Sequence, residues 1–480
     1  MELLELTITE YHQAIMDRRL TSVELVEYYL GRIAKFDGVL RSIISVNPRA
    51  IEYARSLDGA FLEKGDWRGL LHGVPVLLKD NIETEDLPTT AGSLILQNFC
   101  SGSDATIVRK LREAGAIILA KTNLHEFALW GETISSVKGQ TLNPYDLTRT
   151  PGGSSGGTGA ALAANFGLAG IGTDTINSIR SPASANNLVG LRPSLGRVSR
   201  AGIIPYSLTQ DTAGPMARSV EDAALILSVI QGYDPDDSTT TSHKASEEYT
   251  ENKDGLFGIR LGVMRSFFGQ NPENAEINEV LRSVLLQFSK AGAILIEIPD
   301  MVDPTELVHN VSVHQYDFRD HLNRYFAAHK APICSLQEII DSGLYHPRIK
   351  EDLLAANSVA ADGEEYQSRL QKQLELKTTF KDLFIKHRLD ALVYPHQQQL
   401  VCKVGDSQQQ RNGVLASVTG FPAICIPAGF SSPNECAPIG VPIGFEILGL
   451  PFKEHKILEI ASSYEQSTHL RRPPQEKHWL

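Results

Sequence analysis

Cysteine, basic residues and long apolar runs are all scarce in this 480-residue sequence. Its five cysteines are scattered and form no Cys-x-x-Cys pair, which argues against a disulfide framework and predicts free thiols in a reducing compartment. Lys and Arg number 45 against 57 Asp and Glu, so the formal net charge is −12. That sign argues against a general nucleic-acid-binding protein, because neutralising phosphates needs clustered Lys and Arg.

Membrane and metal signals are missing as well. The run of small residues over 159–172 is shorter than the roughly 20 residues that a membrane span needs. The amino terminus, MELLELTITEYHQ, is acidic and lacks the basic region of a signal or transit peptide. The 14 histidines show no metal-ligand spacing such as HExxH, so no metal is assigned. We therefore expect a cytoplasmic protein without a nucleic-acid or membrane partner.

The sequence does have alternating helix and strand patterns. Apolar runs over 71–78 and 116–120 predict buried strands, and 104–114 predicts the helix between them. This alternation is typical of a sheet covered by helices on both faces. The expected fold class is α/β, a single large domain over 1–480 with a central twisted mixed sheet. Further helices are expected over about 1–65, 219–230, 278–291 and 364–387, and further strands at 258–263, 293–298, 390–395 and 423–427.

Three regions differ from this pattern in composition. Residues 143–215 are rich in Gly, Ser, Ala and Pro and poor in charge, which predicts loops and short elements packed inside the molecule. The polar stretch 232–255 predicts a surface loop or linker. Residues of about 300–390 are more polar and aromatic and predict a helical portion, before a return to the sheet over about 390–465.

Three segments carry candidate chemistry. Residues 151–159, PGGSSGGTG, form a loop that can expose backbone N–H groups, but they lack the Gly-Lys-Ser/Thr ending of a phosphate-binding loop. Residues 172–183, GTDTINSIRSPA, place a serine in a polar turn, where it is either a nucleophile or a turn or cap residue. Lys79 ends an apolar strand. It is either a surface charge or, if buried, an amine whose pKa falls toward neutrality.

Taken together, these segments resemble the amidase signature family. The similarity extends through 188–227 and covers most of the chain, but it is thin over about 230–390. It implies the fold of that family, with a signature core over about 70–230 and a more variable helical portion over about 300–390. Weaker similarity is found in AKTNLHEFA (120–128), TGFPAICIPAGF (419–430) and VPIGFEILG (441–449).

The resemblance implies a role for each of three residues. Ser178 would be the nucleophile, Ser154 the bridging serine, reached through a cis Gly153–Ser154 bond, and Lys79 the base. The implied function is hydrolysis of a carboxamide C–N bond to a carboxylic acid and ammonia or an amine, through an acyl-enzyme on Ser178. Neutral Lys79 would accept a proton from Ser154, which accepts one from Ser178. No cofactor is required.

One departure from the family pattern falls beside the nucleophile. The backbone N–H groups of Thr175, Ile176, Asn177 and Ser178 are the candidate oxyanion-hole donors. The family usually has Gly-Gly where this chain has Ile176-Asn177. The hole persists if both residues adopt ordinary φ values, because an N–H donor does not depend on the side chain, and Asn177 could add a donor. The replacement is expected to alter the pocket and leave the chemistry, with an inactive relative as the alternative.

Substrate selectivity is expected from the segments that match the family least. The aromatic candidates there are explained at least as well by packing in a helical core. The expected partner is a small-molecule amide, and a homodimer is left open. The candidates for the substrate pocket are Tyr316, Phe318, Tyr325, Phe326, Asn412 and Ser417.

Other functions also stay open at this point. Residues 152–156 fit G-x-S-x-G, the motif of α/β-hydrolases, in which Ser154 would be the nucleophile and a later histidine would be needed. The glutaminase-type component of a glutamyl-tRNA amidotransferase shares the same three catalytic residues. An esterase or carbamate hydrolase, and a non-catalytic binding protein that kept the fold, are the remaining alternatives.

Overall fold

A mixed sheet of eleven strands organises the protein within residues 2–240 and 255–479, which are the residues that this computed structural model describes. The strand order is β1-β3-β2-β6-β8-β7-β12-β13-β11-β9-β10, while β4 and β5 pair with each other. The strands are β1 (Ile43–Val46), β2 (Pro75–Lys79), β3 (Ile117–Thr122), β4 (Ile134–Ser135), β5 (Gly139–Gln140), β6 (Ala169–Asp174), β7 (Val189–Arg192), β8 (Thr212–Ala217), β9 (Arg260–Met264), β10 (Ile294–Ile298), β11 (Ala391–Pro395), β12 (Ala423–Phe430) and β13 (Pro442–Leu448).

Helices flank this sheet, so the predicted α/β fold with a central mixed sheet is confirmed. Strands β2, β3 and β6 are parallel neighbours, as are β9, β10 and β11, and the other pairs of the sheet are antiparallel. The helices of the described residues are α1 (Ile8–Met16), α2 (Ser22–Leu40), α3 (Ala50–Lys64), α4 (Thr106–Glu113), α5 (Gly156–Ala163), α6 (Arg180–Ala185), α7 (Val220–Ile230), α8 (Ala275–Lys290), α9 (Pro304–Asn310), α10 (His314–His329), α11 (Leu336–Ser342), α12 (Lys350–Ser358), α13 (Glu364–His387), α14 (Val414–Thr419) and α15 (Glu454–Thr468).

Local sequence signals explain where several helices begin. Thr21 caps α2 by accepting a hydrogen bond from the N–H of Glu24 at 3.2 Å, and the Glu24 carboxylate accepts from the Thr21 N–H at 2.8 Å, which is the capping box that TSVE predicts. Ser219 caps α7 in the same way through the N–H of Asp222. The strands and helices expected after residue 70 are found within a few residues of their predicted bounds.

Three expectations from the sequence need correction or a limit. The first 65 residues are not helical throughout, because β1 (Ile43–Val46) adds an edge strand that pairs with β3. The Gly-rich region 143–215 contains the strands β6, β7 and β8 as well as loops. Part of the predicted polar loop over 232–255 lies outside the described residues. Within the described residues, no helix has the length and apolar character that crossing a bilayer requires.

Parallel pairing brings two functional segments to one edge of the sheet. Leu78 of β2 lies opposite Ile171 of β6. Because the two strands run in the same direction, Lys79 at the end of β2 meets Thr173 near the end of β6. Every residue of both strands is buried. The fold therefore places a lysine side chain deep in the protein, at the carboxyl edge of central strands.

Close backbone approach fixes the first turn of α5. A Cβ at Gly157 would lie 2.2 Å from the main-chain O of Asn123, so any side chain there must push two backbone segments apart. Gly38, in the interior of α2, has no neighbour within 4 Å of such a Cβ. The same substitution therefore has opposite consequences at the two positions.

We expect Gly157→Ala to lower the free energy of unfolding by about 1–3 kcal/mol or more, through overpacking against Asn123. Gly38→Ala is the matched control and should raise it by about 0.5–1 kcal/mol, because alanine is the better helix former. Thermal unfolding followed by circular dichroism measures both shifts. Equal shifts, or a stabilised Gly157→Ala protein, would contradict this account of the turn.

Candidate active site

The lysine and the first serine predicted from the sequence lie side by side. Lys79 Nζ is 2.7 Å from Ser154 Oγ, and both side chains are fully buried. The same nitrogen is 2.7 Å from Thr173 Oγ1 and 3.3 Å from the main-chain O of Thr173. The Asn81 amide also donates to Thr173 Oγ1, at 3.1 Å. The amine is thus held by one strand neighbour and faces the serine.

Burial changes the protonation of this lysine. It lowers the pKa of Lys79 from its ordinary value to about 7, and the negative charges of Asp174 and Asp211 oppose part of that shift. No carboxylate among the described residues lies within ion-pair distance of Nζ, so the charged form gains no direct partner to offset its lost hydration. A substantial fraction of Lys79 is therefore uncharged near neutral pH.

Ser154 sits in a tight turn just before α5. The Gly153–Ser154 peptide is cis, in agreement with the sequence prediction. Gly152 has a φ of +69°, and a Cβ there would lie 2.9 Å from the main-chain O of Ser181. The main-chain O of Ser154 accepts a hydrogen bond from the N–H of His125 at 3.0 Å. The glycines of this loop thus permit a backbone path that other residues would obstruct.

The predicted nucleophile lies in the turn after β6. Ser178 is 6% exposed, and its Oγ forms no hydrogen bond with any described residue. Its main-chain O accepts from the N–H of Ser155 at 3.2 Å, which ties the turn to the Ser154 loop. Within the described residues no hydrogen bond joins Ser178 to Ser154. The structure therefore brings the two serine segments together and leaves the Ser178 hydroxyl free.

The turn 175–178 presents its N–H groups and anchors its carbonyls. The N–H groups of Ile176, Asn177 and Ser178 donate to no described residue. Neither Ile176 nor Asn177 has a positive φ, so the conformation does not need the glycines that the family usually has here. The carbonyls are held by Gln210 at residue 175, by Arg180 and Ser417 at 176, by Ser181 at 177 and by Ser155 at 178.

Buried charges fix the position of this turn. Arg180 donates to Asp174 at 3.1 Å and to Glu446 at 2.7 Å, and Arg192 donates to Asp174 at 2.8 Å. Burial acts to raise the pKa of Asp174, but the two guanidinium groups lower it below its ordinary value. Asp174 also accepts from the N–H of Ile179 at 3.1 Å. The network holds both ends of the turn, because Asp174 precedes it and Arg180 follows it. All of the charged side chains in the network are fully buried.

Asp211 is a second carboxylate near the lysine. It accepts from the Thr175 hydroxyl at 2.5 Å and from the N–H groups of Tyr206 and Ser207, both at 2.9 Å. Burial raises the pKa of Asp211 to about 6, although the Thr175 hydroxyl stabilises its ionised form. At neutral pH this carboxylate is mostly charged and acts on the amine of Lys79.

The predicted substrate residues fall into different places. Phe318, Tyr325 and Phe326 are buried in an apolar cluster of the 300–390 portion. Phe318 packs edge-on against Tyr206 at 5.2 Å, and Tyr206 lines a small cavity together with Thr173 and Thr175. The aromatic cluster thus forms the wall behind the site.

The remaining candidates make contacts elsewhere. Tyr316 lies beside Tyr366 at 5.9 Å, under the guanidinium of Arg369. Asn412 donates to two main-chain oxygens, those of Phe267 and Pro395, each at 2.8 Å, and is fully buried. Its side chain therefore holds the loop before α14. Ser417 donates to the main-chain O of Ile176, so it supports the turn.

Several residues of the site were not predicted from the sequence. Thr173 and Asn81 are the partners of the lysine. The signal available for Asn81 was its spacing of two residues from Lys79, which puts both side chains on the same face of an extended chain. The signal available for Thr173 was its position in the GTDT segment. Glu446, which binds Arg180, comes from a distant segment and has no local motif. Among the described residues, no three His, Cys, Asp or Glu side chains converge as a metal site would require.

Comparisons with known proteins point to one family. The family model for Amidase matches residues 24–458. A glutamyl-tRNA(Gln) amidotransferase subunit from Alkaliphilus metalliredigens is 33% identical, over 97% of both chains. A probable amidase from Arabidopsis thaliana is 36% identical, over 98% of this chain and 91% of its own. The crystal structure of peptide amidase from Stenotrophomonas maltophilia superposes with a TM-score of 0.89 at 35% identity, covering 98% of this chain and 99% of that one.

We expect Arg180→Met to lower the free energy of unfolding by about 3–5 kcal/mol, because it leaves Asp174 and Glu446 buried with a lost partner. Arg282→Met is the control. Arg282 pairs with Glu279 at 2.6 Å, but the two side chains are 62% and 69% exposed. That change should cost at most about 1 kcal/mol. Denaturant unfolding measures both, and a similar loss in the two variants would contradict a structural role for the buried network.

Proposed function

This chain belongs to the amidase family of amide-cleaving enzymes, and we propose that it hydrolyses a linear carboxamide through an acyl-enzyme on Ser178. The observation that carries the proposal is the contact of 2.7 Å between the buried amine of Lys79 and the hydroxyl of Ser154. In this proposal Lys79 is the base, Ser154 the proton relay and Ser178 the nucleophile.

The hydrogen bonds of Lys79 support its role as a base. A neutral amine has two N–H groups and one lone pair. Thr173 offers two acceptors, its hydroxyl at 2.7 Å and its main-chain O at 3.3 Å, which match the two N–H groups. The remaining direction holds Ser154 Oγ, whose hydroxyl can then donate to the lone pair. Thr173 thus orients the amine so that its basic electron pair meets the relay serine.

The chemical step follows from this arrangement. Ser178 Oγ attacks the amide carbon and gives its proton to Ser154 Oγ, while Ser154 passes its own proton to Lys79. The unpaired N–H groups of the 175–178 turn supply donors for the oxyanion, and removing one donor from an oxyanion hole typically costs about 3–4 kcal/mol. Return of the proton to the nitrogen releases the amine as the C–N bond breaks. Water then hydrolyses the ester on Ser178.

Two alternatives have different support. A Ser-His-acid hydrolase would need a histidine on Ser154, but within the described residues the side chain bonded to Ser154 Oγ is Lys79. The amidotransferase relatives keep an ammonia-supplying glutaminase as a candidate, since the similarity spans 97% of both chains. Turnover of simple amides by the isolated chain favours a stand-alone amidase, whereas activity confined to glutamine in the presence of partner proteins favours the second alternative. Ester or carbamate cleavage would be a side activity of the same acyl-enzyme.

The nucleophile is tested by covalent trapping. We expect a fluorophosphonate to label Ser178, and Ser178→Ala to abolish both labelling and amide turnover, because its free hydroxyl is the group that the relay activates. Mass spectrometry of the labelled peptide identifies the serine. A label on Ser154 that persists in Ser178→Ala would instead support the α/β-hydrolase alternative.

The base is tested by the pH dependence of kcat/KM. Only neutral Lys79 can accept a proton, so activity should rise about tenfold per pH unit below about 7 and level off above it. Asp211→Asn removes a negative charge that stabilises the protonated amine, so the rising limb should move to lower pH.

Asp222→Asn is the matched control for this shift. Asp222 is also buried with a pKa raised by burial to about 6, but it accepts from the N–H of Ile8 at the start of α1. Its substitution should leave the rising limb of the pH profile where it is.

Lys79→Ala should lose several orders of magnitude in kcat/KM, and full activity in that variant would disprove the proposed relay.

A further inference from the structure

One cation near the proposed active site forms no ion pair within the part of the chain that the structure describes. Arg411 is half-buried, and within the described residues its guanidinium forms no hydrogen bond and no ion pair. Its contact is with the ring of Trp130, whose centroid lies 5.0 Å from the guanidinium carbon. The nearest carboxylate that acts on it, Glu132, already accepts hydrogen bonds from Ser407 and the N–H of Gln408.

Arg411 lies near residues that border the two serine segments. A Cβ built on Gly131 would be 3.9 Å from Arg411 Nη1 and 3.9 Å from the main-chain O of Gly153, the residue joined to Ser154. Two residues after Arg411, a Cβ on Gly413 would be 2.7 Å from Cβ of Asn177, the residue before Ser178. The guanidinium of Arg411 therefore lies near Gly131, which borders Gly153, and the chain just after Arg411 packs against Asn177.

A second unsatisfied hydrogen-bond donor belongs to Asn177, which packs against Gly413 two residues after Arg411. The amide nitrogen of Asn177 is buried and has no hydrogen-bond partner among the described residues, although the side chain is only 2% exposed. Leaving a buried donor unpaired is costly, so native proteins rarely do so without a function. The guanidinium of Arg411 and the amide nitrogen of Asn177 together offer several N–H donors, and none of these donors has an acceptor among the described residues.

We propose that Arg411 binds a carboxylate of the substrate, so that the preferred substrates are amides with a free carboxylate close to the scissile bond. This inference rests on the proposed amide hydrolysis. A guanidinium stacked on an aromatic ring keeps its edge open, and that edge matches a planar carboxylate with two parallel hydrogen bonds. The neighbouring charge of Glu132 suits a ligand with one negative charge better than a phosphate dianion.

The test uses pairs of substrates matched in carbon chain. The monoamides of butanedioic, pentanedioic and hexanedioic acids are compared with butanamide, pentanamide and hexanamide. We expect the wild-type enzyme to favour the best carboxylate-bearing amide over its neutral partner by about 10- to 100-fold in kcat/KM, the range that hydrogen bonds to a charged group produce. In Arg411→Gln this ratio should fall close to one, whereas in Arg282→Gln, an exposed control, it should stay at the wild-type value.

Binding without turnover separates the two proposals. Calorimetry with Ser178→Ala should show that the same monoamide binds at least tenfold more weakly when Arg411→Gln is added. If the wild-type enzyme cleaves charged and neutral amides equally well, the Arg411 site is wrong and the proposed function stands. If neither amide is cleaved but the monoamide binds in an Arg411-dependent way, the carboxylate site stands and the proposed function fails. The stability of Arg411→Gln does not affect this conclusion. The ratio of kcat/KM for the charged and the neutral amide is measured on the wild-type enzyme, and a ratio near one overturns the inference whether or not the variant is destabilised.

Discussion

The site depends on keeping an amine out of water without giving it a carboxylate partner. In solution a lysine side chain is protonated at neutral pH, and an ammonium group cannot accept a further proton. Burial at the end of β2 lowers the pKa of Lys79 to about 7, while Thr173 satisfies its N–H groups with neutral oxygens. A carboxylate in place of Thr173 would stabilise the ammonium form and remove the base that the proposed mechanism needs. The parallel pairing of β2 with β6 provides this neutral partner at the right depth.

Asp174 is a negative charge close to Lys79 whose effect on the amine has to be limited. Asp174 anchors the nucleophile turn, and it lies one residue beyond the threonine that holds the lysine. A bare carboxylate at that depth would raise the pKa of Lys79 strongly. Arg180 and Arg192 bind Asp174 directly, so it fixes the backbone while part of its field is cancelled. Asp211 is not paired in this way. The charges of both carboxylates still act on the amine of Lys79, that of Asp174 more strongly.

Sequence reasoning found the parts of this site that lie in local motifs. Lys79, Ser154 and Ser178 stand in segments that resemble the amidase signature family, and that resemblance is what assigned their roles. The capping boxes and long amphipathic helices follow from local rules. Strands β6, β7 and β8 were missed as strands because AGIGTD, VGLR and TAGPMA have the glycine and alanine of loops, and their pairing is decided by burial on both faces. Glu446 and Arg411 reach the site by tertiary packing, which no window of sequence displays.

The Ile176-Asn177 pair shows that this turn can present its N–H groups without the glycines that the family usually has here. Its N–H groups stay unpaired while its carbonyls are anchored, whatever the side chains are, so the donors for an oxyanion survive without glycine. The side chains are then available for another purpose. Ile176 joins the apolar cluster of α9, α13 and α14, and the buried amide of Asn177 has no hydrogen-bond partner among the described residues. The Cβ of Asn177 lies close to the backbone of Gly413. Ile176 and Asn177 therefore change the side chains beside the proposed nucleophile, while the turn still presents its N–H groups.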